Sequence, residues 1–234
     1  VLARAKALEA QGRSMINLGI GQPDFQTPEH VVDAACKALR DGHHGYTPAN
    51  GIKELREAVA GDLEARYRTR IDPDCVAIVP GGKVTMFFAC LMFGEPGAEI
   101  VYPNPGFPIY ESVIRFTGAR PVSLPLREEN GFAFSADELL AKLSDRTRLV
   151  ILNSPANPTG GVVPKAEMDK LAEGLQRFPN VAVLSDEIYS RLLYDGREHA
   201  SMLAYPELRD RVIMLEGWSK THAMTGWRLG FAVW

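Results

Sequence analysis

From Glu216 to Gly230 the chain reads E-G-W-S-K-T-H-A-M-T-G-W-R-L-G, which sets Lys220 and Arg228 eight residues apart. A lysine flanked by apolar residues at a strand end has a lowered pKa, and its free amine attacks carbonyls, so Schiff-base chemistry is the obvious use. The plainer alternative is a lysine that snorkels to the surface. Arg228 adds a permanent cation whose fork of donors suits phosphate. Asp186 follows V-A-V-L-S directly, so a carboxylate stands at the end of a buried strand, where desolvation is expensive unless a cationic group meets it. Tyr189, three residues on, directs a phenol toward the same space, unless D-E-I-Y merely caps the next element.

Other loops carry weaker signals. Gly81-Gly82-Lys83 precedes the apolar run M-F-F-A-C-L-M-F, and backbone N–H groups at such a helix start hold phosphate. It is not a Walker loop, because Ala77 and Val84 stand where that motif needs a glycine and a hydroxyl residue, and a tight turn with an exposed lysine explains it equally well. Gly19-Ile-Gly21 lacks the third glycine and the helix of a dinucleotide fingerprint. Phe107 in N-P-G-F is either a stacking face or core, and Asn157 in N-P-T-G-G is either a polar ligand or a turn former. Together these loops offer a carbonyl-trapping amine, a phosphate clamp, an acid for a ring nitrogen and an aromatic face. Those are the needs of pyridoxal 5'-phosphate.

Such residues converge only if the chain forms the right sheet. From about Cys75 onward, β-branched runs alternate with helix-period stretches, the pattern of parallel strands joined by crossover helices. The expected strands are 75–80, 99–102, 121–126, 148–152, 181–185 and 212–215, with a further strand beginning at Phe231 and broken off in mid-element. A helix after Pro164 puts Met168, Leu171, Ala172 and Leu175 on one face, and Ser135 to Glu138 has the capping-box form. Ile52, Leu55, Val59 and Leu63 line a helix after the turn P-A-N-G, and the first dozen residues read as an amphipathic helix. Strands buried on both faces need helices on both sides, so the expected class is α/β, a three-layer αβα sandwich around a mostly parallel sheet. Ligands of such sheets sit beyond the carboxyl ends of the strands, where the loops above lie.

Composition excludes other classes. In 234 residues with a net charge of -3, 46% hydrophobic and 24% charged, the basic residues are scattered, and no footprint for nucleic acid or an anionic membrane emerges. Apolar runs fall short of a bilayer span and the start has no signal-peptide core, so a cytoplasmic protein is expected. Three distant cysteines, Cys36, Cys75 and Cys90, suit neither a disulfide framework nor metal spacing, and no metal is expected.

The ordered set N-L-G-I-G-Q-P-D-F, Y-T-P-A-N-G, P-G-G-K, N-P-G-F-P-I-Y, N-S-P-A-N-P-T-G, S-D-E-I-Y and S-K-T-H-A-M-T-G-W-R-L-G resembles class I/II aminotransferases of the aspartate aminotransferase fold (PLP fold type I) over nearly the whole chain. The resemblance implies that Lys220 holds the cofactor as a Schiff base and shuttles the substrate proton, and that Asp186 keeps the pyridine nitrogen protonated. It implies that Tyr189 and Asn157 bind the cofactor's phenolic oxygen and that Phe107 stacks on the ring. Arg228, Ser219 and the backbone of Gly82 and Lys83 hold the phosphate, Gly21 lies beside the substrate α-carboxylate, and Tyr46 reaches the phosphate of the neighbouring subunit in a homodimer. The reaction implied passes an amino group between an L-amino acid and a 2-oxo acid. A C–S lyase or decarboxylase of the same fold is the nearest alternative, and a regulatory domain that senses the cofactor is a remoter one.

Two departures accompany the resemblance. Gly81 and Gly217 stand where relatives often carry hydroxyl residues. Family members are also longer, so residues 25–234 are expected to be the cofactor-binding large domain, 1–24 a segment of the small domain or interdomain region, and the C-terminal small domain absent from the chain, with weak activity as the consequence.

Overall fold

The computed structural model describes residues 2–16 and 19–234. Three helices come first: α1 (Leu2–Glu9), α2 (Glu29–Arg40) and α3 (Lys53–Tyr67). Next, β1 (Val76–Val79) leads through the glycine turn to α4 (Lys83–Phe93), β2 (Glu99–Asn104), α5 (Ile109–Phe116) and β3 (Arg120–Pro125). Then come α6 (Ala136–Ala141), β4 (Thr147–Asn153), α7 (Lys165–Leu175), β5 (Ala182–Asp186), β6 (Val212–Gly217), the short α8 (Trp218–Thr221) and β7 (Gly230–Val233). Every expected strand forms, within a residue or two at each end.

The seven strands make one sheet in the order β1-β7-β6-β5-β4-β2-β3. Strands β3, β2, β4, β5 and β6 pair in parallel, whereas β7 lies antiparallel between β6 and β1. Alternation along β4 explains why both faces must be covered. Val150 and Leu152 pack with Val59 and Leu63 of α3 and with Leu171 and Leu175 of α7. Leu149 and Ile151 enter a second core with Met86 and Cys90 of α4 and Tyr110 and Ile114 of α5. The result is the expected three-layer arrangement, with helices on both faces of a mostly parallel sheet.

Local signals act as anticipated in α6 and α7. Ser135 accepts a hydrogen bond from the Glu138 N–H, closing the cap, and the α7 stripe of Met168, Leu171, Ala172 and Leu175 is buried throughout. The first helices differ. Ile52 is the N-cap of α3 and largely exposed, α1 buries only Ala5, and α2 buries no residue at all. No helix of the described residues is long and apolar enough to cross a membrane.

The end of the sheet opposite the loops of interest is tied by one carboxylate. Glu99, 1% exposed at the start of β2, accepts hydrogen bonds from Arg120 at 2.6 Å, Arg146 at 2.7 Å and the Ser144 hydroxyl at 2.9 Å. Burial pushes its carboxyl up, but these three donors outweigh burial and hold it down at about 2. Because the pKa is depressed on folding, the ion contributes stability above the ordinary carboxylate range and loses it as pH falls from 4.5 toward 2. Glu99→Gln is expected to lower Tm by about 5 °C at neutral pH, on the scale of about 2 kcal/mol for charge-assisted bonds lost in a chain of this size. Thermal melts of both proteins should converge as pH approaches the acid end of that window.

Candidate active site

Residues at the carboxyl ends of β4, β5 and β6, in the connections that leave β1 and β2, and in the turn before β7 line one cavity of about 580 Å³. Of the residues singled out in the sequence, all but one line it: Gly21, Gly82, Lys83, Phe107, Asn157, Asp186, Tyr189, Ser219, Lys220 and Arg228. The exception is Tyr46, whose side chain stands wholly exposed outside it. Asn17 and Leu18, within the N-L-G-I-G motif, lie outside the described residues.

Asp186 is the anchor. In-register pairing sets it between Asn153 of β4 and Leu215 of β6, at the carboxyl edge of the most enclosed strands. Asn153 then fastens this edge, since its Nδ2 donates to the Asp186 carbonyl at 3.0 Å and its Oδ1 accepts the Asn157 N–H at 2.8 Å. The Asn157 loop is thereby hung from the end of β4, the strand it leaves, through a side chain that also grips β5. Burial drives the Asp186 carboxyl up to about 6, against hydrogen bonds from the Tyr110 phenol at 2.6 Å and the Ile188 N–H at 3.3 Å. Among the described residues no cation pairs with this carboxylate, and Tyr110, fully buried on α5, offsets part of its desolvation with a hydrogen bond.

Its neighbour shows the opposite balance. Glu187 is also buried, but a strand turns successive side chains to opposite faces, and it meets His199 at 2.7 Å and the hydroxyls of Ser185 and Ser201 at 2.8 and 2.9 Å. Burial pushes this carboxyl up, and the histidine with the hydroxyls more than reverses it, so Glu187 ends lowered. One carboxylate is thus fixed inside the wall while the other opens into the cavity.

Lys220 projects from α8 and donates to the Gly21 carbonyl, with its Nζ 6.0 Å from the Tyr189 ring centre. Its pKa is lowered by burial first, then by the nearby charges of Lys83 and Arg228. Burial and Asp186 together raise the Tyr189 phenol, which stays a neutral donor. Lys83 begins α4 and lies 5.5 Å from the centre of the Phe107 ring, which meets Tyr110 edge-on at 5.9 Å.

The two glycine departures have steric reasons. Gly81 has φ +84°, and a Cβ there would fall 2.2 Å from the Arg228 guanidinium, which lies directly on the turn. At Gly217 a Cβ would stand 2.7 Å from the Gly230 Cα, where β6 and β7 approach. Arg228 itself is left-handed (φ 55°) and is steadied by its Nη1 donating to the Thr225 carbonyl at 2.8 Å.

Two polar residues that line the cavity escaped the sequence reading. Tyr110 lies one helical turn beyond Phe107 in F-P-I-Y, and Asn153 ends a buried strand, positions that deserve the same scrutiny as Asp186.

A three-layer sheet gathers this constellation at its carboxyl edge, and comparison with known proteins gives the family. The family model "Aminotransferase class I and II" matches residues 13–234, and the chain belongs to that family. Pyridoxal 5'-phosphate is the cofactor that this membership brings. The chain is 41% identical over 225 residues to the aspartate aminotransferase of Sulfolobus acidocaldarius, covering 95% of this chain and 56% of that one. It is 37% identical over 233 residues to the (5-formylfuran-3-yl)methyl phosphate transaminase of Methanocaldococcus jannaschii, covering 100% and 59%. The aspartate aminotransferase structure from Rhizobium meliloti superposes with a TM-score of 0.93 at 36% identity, covering 99% of this chain and 58% of that one. The chain therefore spans somewhat over half the length of these proteins.

Because its pKa is raised on folding, Asp186 favours the fold below the ordinary carboxylate range and opposes it once pH rises through about 6. Asp186→Asn is accordingly expected to raise Tm of the cofactor-free protein by about 5 °C at mildly alkaline pH. The difference should vanish on acidification to about pH 4, as read by melts across that range.

Proposed function

We propose that this chain carries the catalytic centre of a pyridoxal 5'-phosphate-dependent aminotransferase that moves an amino group between an L-amino acid and a 2-oxo acid. The observation that carries the reading is a single cavity onto which a lysine of lowered pKa and a buried carboxylate both open, with a guanidinium seated on a glycine turn in its wall. That donor set fits a ring bearing an aldehyde, a protonatable nitrogen and a phosphate. When bound, the cofactor supplies a carbonyl that condenses with amines and a ring that takes up the electron pair left on a substrate carbon.

The protein's own contributions follow from the geometry. Arg228, Ser219 and the first N–H groups of α4 at Gly82 and Lys83 would hold the phosphate through charge and backbone donors. Asp186 would hold a proton on the ring nitrogen, and Tyr189 with Asn157 would donate to the phenolic oxygen. Phe107 would cover the ring, braced from behind by Tyr110. Nζ of Lys220 is the amine that engages the cofactor, and it is the base that takes the substrate proton and returns it. Desolvation and two neighbouring cations favour its neutral form, which both roles require. Gly21, whose carbonyl accepts from Lys220, would border the substrate carboxylate. The named activities of the relatives share amino-group transfer, which supports this reaction class over elimination or decarboxylation.

The same reading extends to assembly. Residues 25–234 act as the cofactor-binding domain, and 1–24 belong with the remainder of the enzyme. A wholly exposed Tyr46 and an α2 that buries nothing support a homodimer in which Tyr46 reaches the neighbouring cofactor phosphate.

Borohydride reduction in the presence of pyridoxal 5'-phosphate, followed by peptide mapping, should attach the label to Lys220. Lys220→Ala should abolish both the label and amino-acid-dependent conversion of the cofactor to its amine form, and a label on Lys83 would overturn the assignment. Release of ammonia from the substrate in place of that conversion would assign a lyase. For the dimer, Tyr46→Phe is expected to weaken cofactor binding severalfold without altering sedimentation as a dimer, and a monomeric wild-type holoprotein would refute the intersubunit role.

A further inference from the structure

We infer that Tyr110 is a positioning residue for the site, which holds the Asp186 carboxylate ionised and oriented before any ligand enters. The inference concerns the same centre and rests on the proposed reading only for its catalytic consequence. Nothing in a helix-facing tyrosine at the start of α5 demands a polar partner, since a phenylalanine would fill the same apolar core with Met86, Ile114 and Ile151. The hydroxyl is therefore the informative part. It lies 76 positions from Asp186 in sequence, is fully buried, and spends its proton on Oδ2 at 2.6 Å, the short length of an O–H···O bond to a charged acceptor.

Geometry leaves few substitutes for this donor. Among the described residues Oδ1 accepts only from the Ile188 N–H, at 3.3 Å, and Glu187, the first residue after β5, repels from the adjacent position. The groups facing this carboxylate are Glu187 and Tyr189 along its own strand end, Tyr110 of α5 with Cys90 of α4 behind it, and the cations Lys83, Lys220 and Arg228 around the cavity. None of the cations forms an ion pair with Asp186 among the described residues. The phenol is itself pushed well above its ordinary range by burial and by Asp186, so it remains protonated and can only donate. A carboxylate meant to keep a ring nitrogen protonated must carry its charge at working pH, and burial alone opposes that. The Tyr110 bond is the largest opposing influence.

The test uses the cofactor-free 234-residue chain, titrated by infrared difference spectroscopy through the carbonyl band of a protonated buried carboxyl, with Asp186→Asn identifying the band. Tyr110→Phe should raise the midpoint by about one pH unit or more, the effect of losing one hydrogen bond to a charged acceptor. A midpoint unmoved in folded Tyr110→Phe overturns the inference. Should that variant not fold, incorporation of fluorotyrosine, a stronger donor of unchanged shape, should lower the same midpoint, and no change there overturns it equally. Affinity for pyridoxal 5'-phosphate at neutral pH should fall about tenfold in Tyr110→Phe, matching that shift, and hardly further when Tyr110→Phe is added to Asp186→Asn. A fully additive loss would assign Tyr110 to packing and refute the positioning role. A shifted midpoint in a chain that binds no cofactor would sink the proposed function while leaving this role intact.

Discussion

The interaction on which the rest depends is the one between a buried carboxylate and the strand end that carries it. A carboxylate at the edge of β5 has left water and received no counter-ion, so the surrounding structure must supply donors at fixed positions. Parallel pairing brings Asn153 level with it and allows that side chain to bind the β5 carbonyl, and helix α5 brings Tyr110 to its outer oxygen. These bonds reach across β4, β5 and α5, and each requires the register that the hydrophobic alternation of the sheet imposes. A slip of one residue would turn Asp186 into the wall and Glu187 into the cavity. Glu187 has its own set of partners on the opposite face, so such a slip would strand two charges at once.

The antiparallel β7 solves a second placement problem. With all strands parallel, Arg228 would emerge at the wrong end of the sheet, because residues before a strand lie at its amino edge. Reversing β7 between β1 and β6 puts those residues beside the glycine turn that leaves β1. The approach is close enough that a Cβ at Gly81 or Gly217 would overlap its neighbours and one at Gly230 would be tight, and the guanidinium packs on bare backbone. Backbone N–H groups of the α4 start and a fixed cation thus share one corner without any hydroxyl from the glycine turn. Gly81 is in this sense a consequence of where Arg228 lies, and Gly217 of how closely β7 follows β6.

Much of this was legible in the sequence, and the reason is periodicity. Short β-branched runs between helix-period stretches located every strand, and the rule that ligands sit beyond the carboxyl ends of parallel strands then selected the loops that carry Lys83, Phe107, Asn157, Asp186 and Lys220 from a chain full of charged residues. Tyr110 was not legible, because its role is a contact spanning 76 positions that no local pattern encodes, and a tyrosine among apolar residues reads as core. Burial called for a partner at Asp186, and the donor that α5 adds from within the chain, a neutral phenol at hydrogen-bond distance, is the part that no local pattern announced. The α2 helix was not anticipated, and its apolar positions are incompletely covered among the described residues, with Val32 and Leu39 exposed and Val31, Ala35 and Ala38 half-buried. Tyr46 belongs to the same exposed region, and its motif became informative only through the resemblance.

Taken together, the titrating groups of the cavity are sorted rather than merely perturbed. Burial acts on Asp186 and Lys220 alike and, unopposed, would render both neutral, removing the acid partner and supplying the amine. Secondary influences separate them: the Tyr110 and Ile188 donors favour the charged carboxylate, while Lys83 and Arg228 favour the uncharged amine. Without the two donors burial would carry the carboxyl further toward its neutral form, and without the two cations the amine would hold its proton more readily. Assignment of acid and base thus lies less in Lys220 and Asp186 themselves than in which donors and which cations the sheet brings beside each.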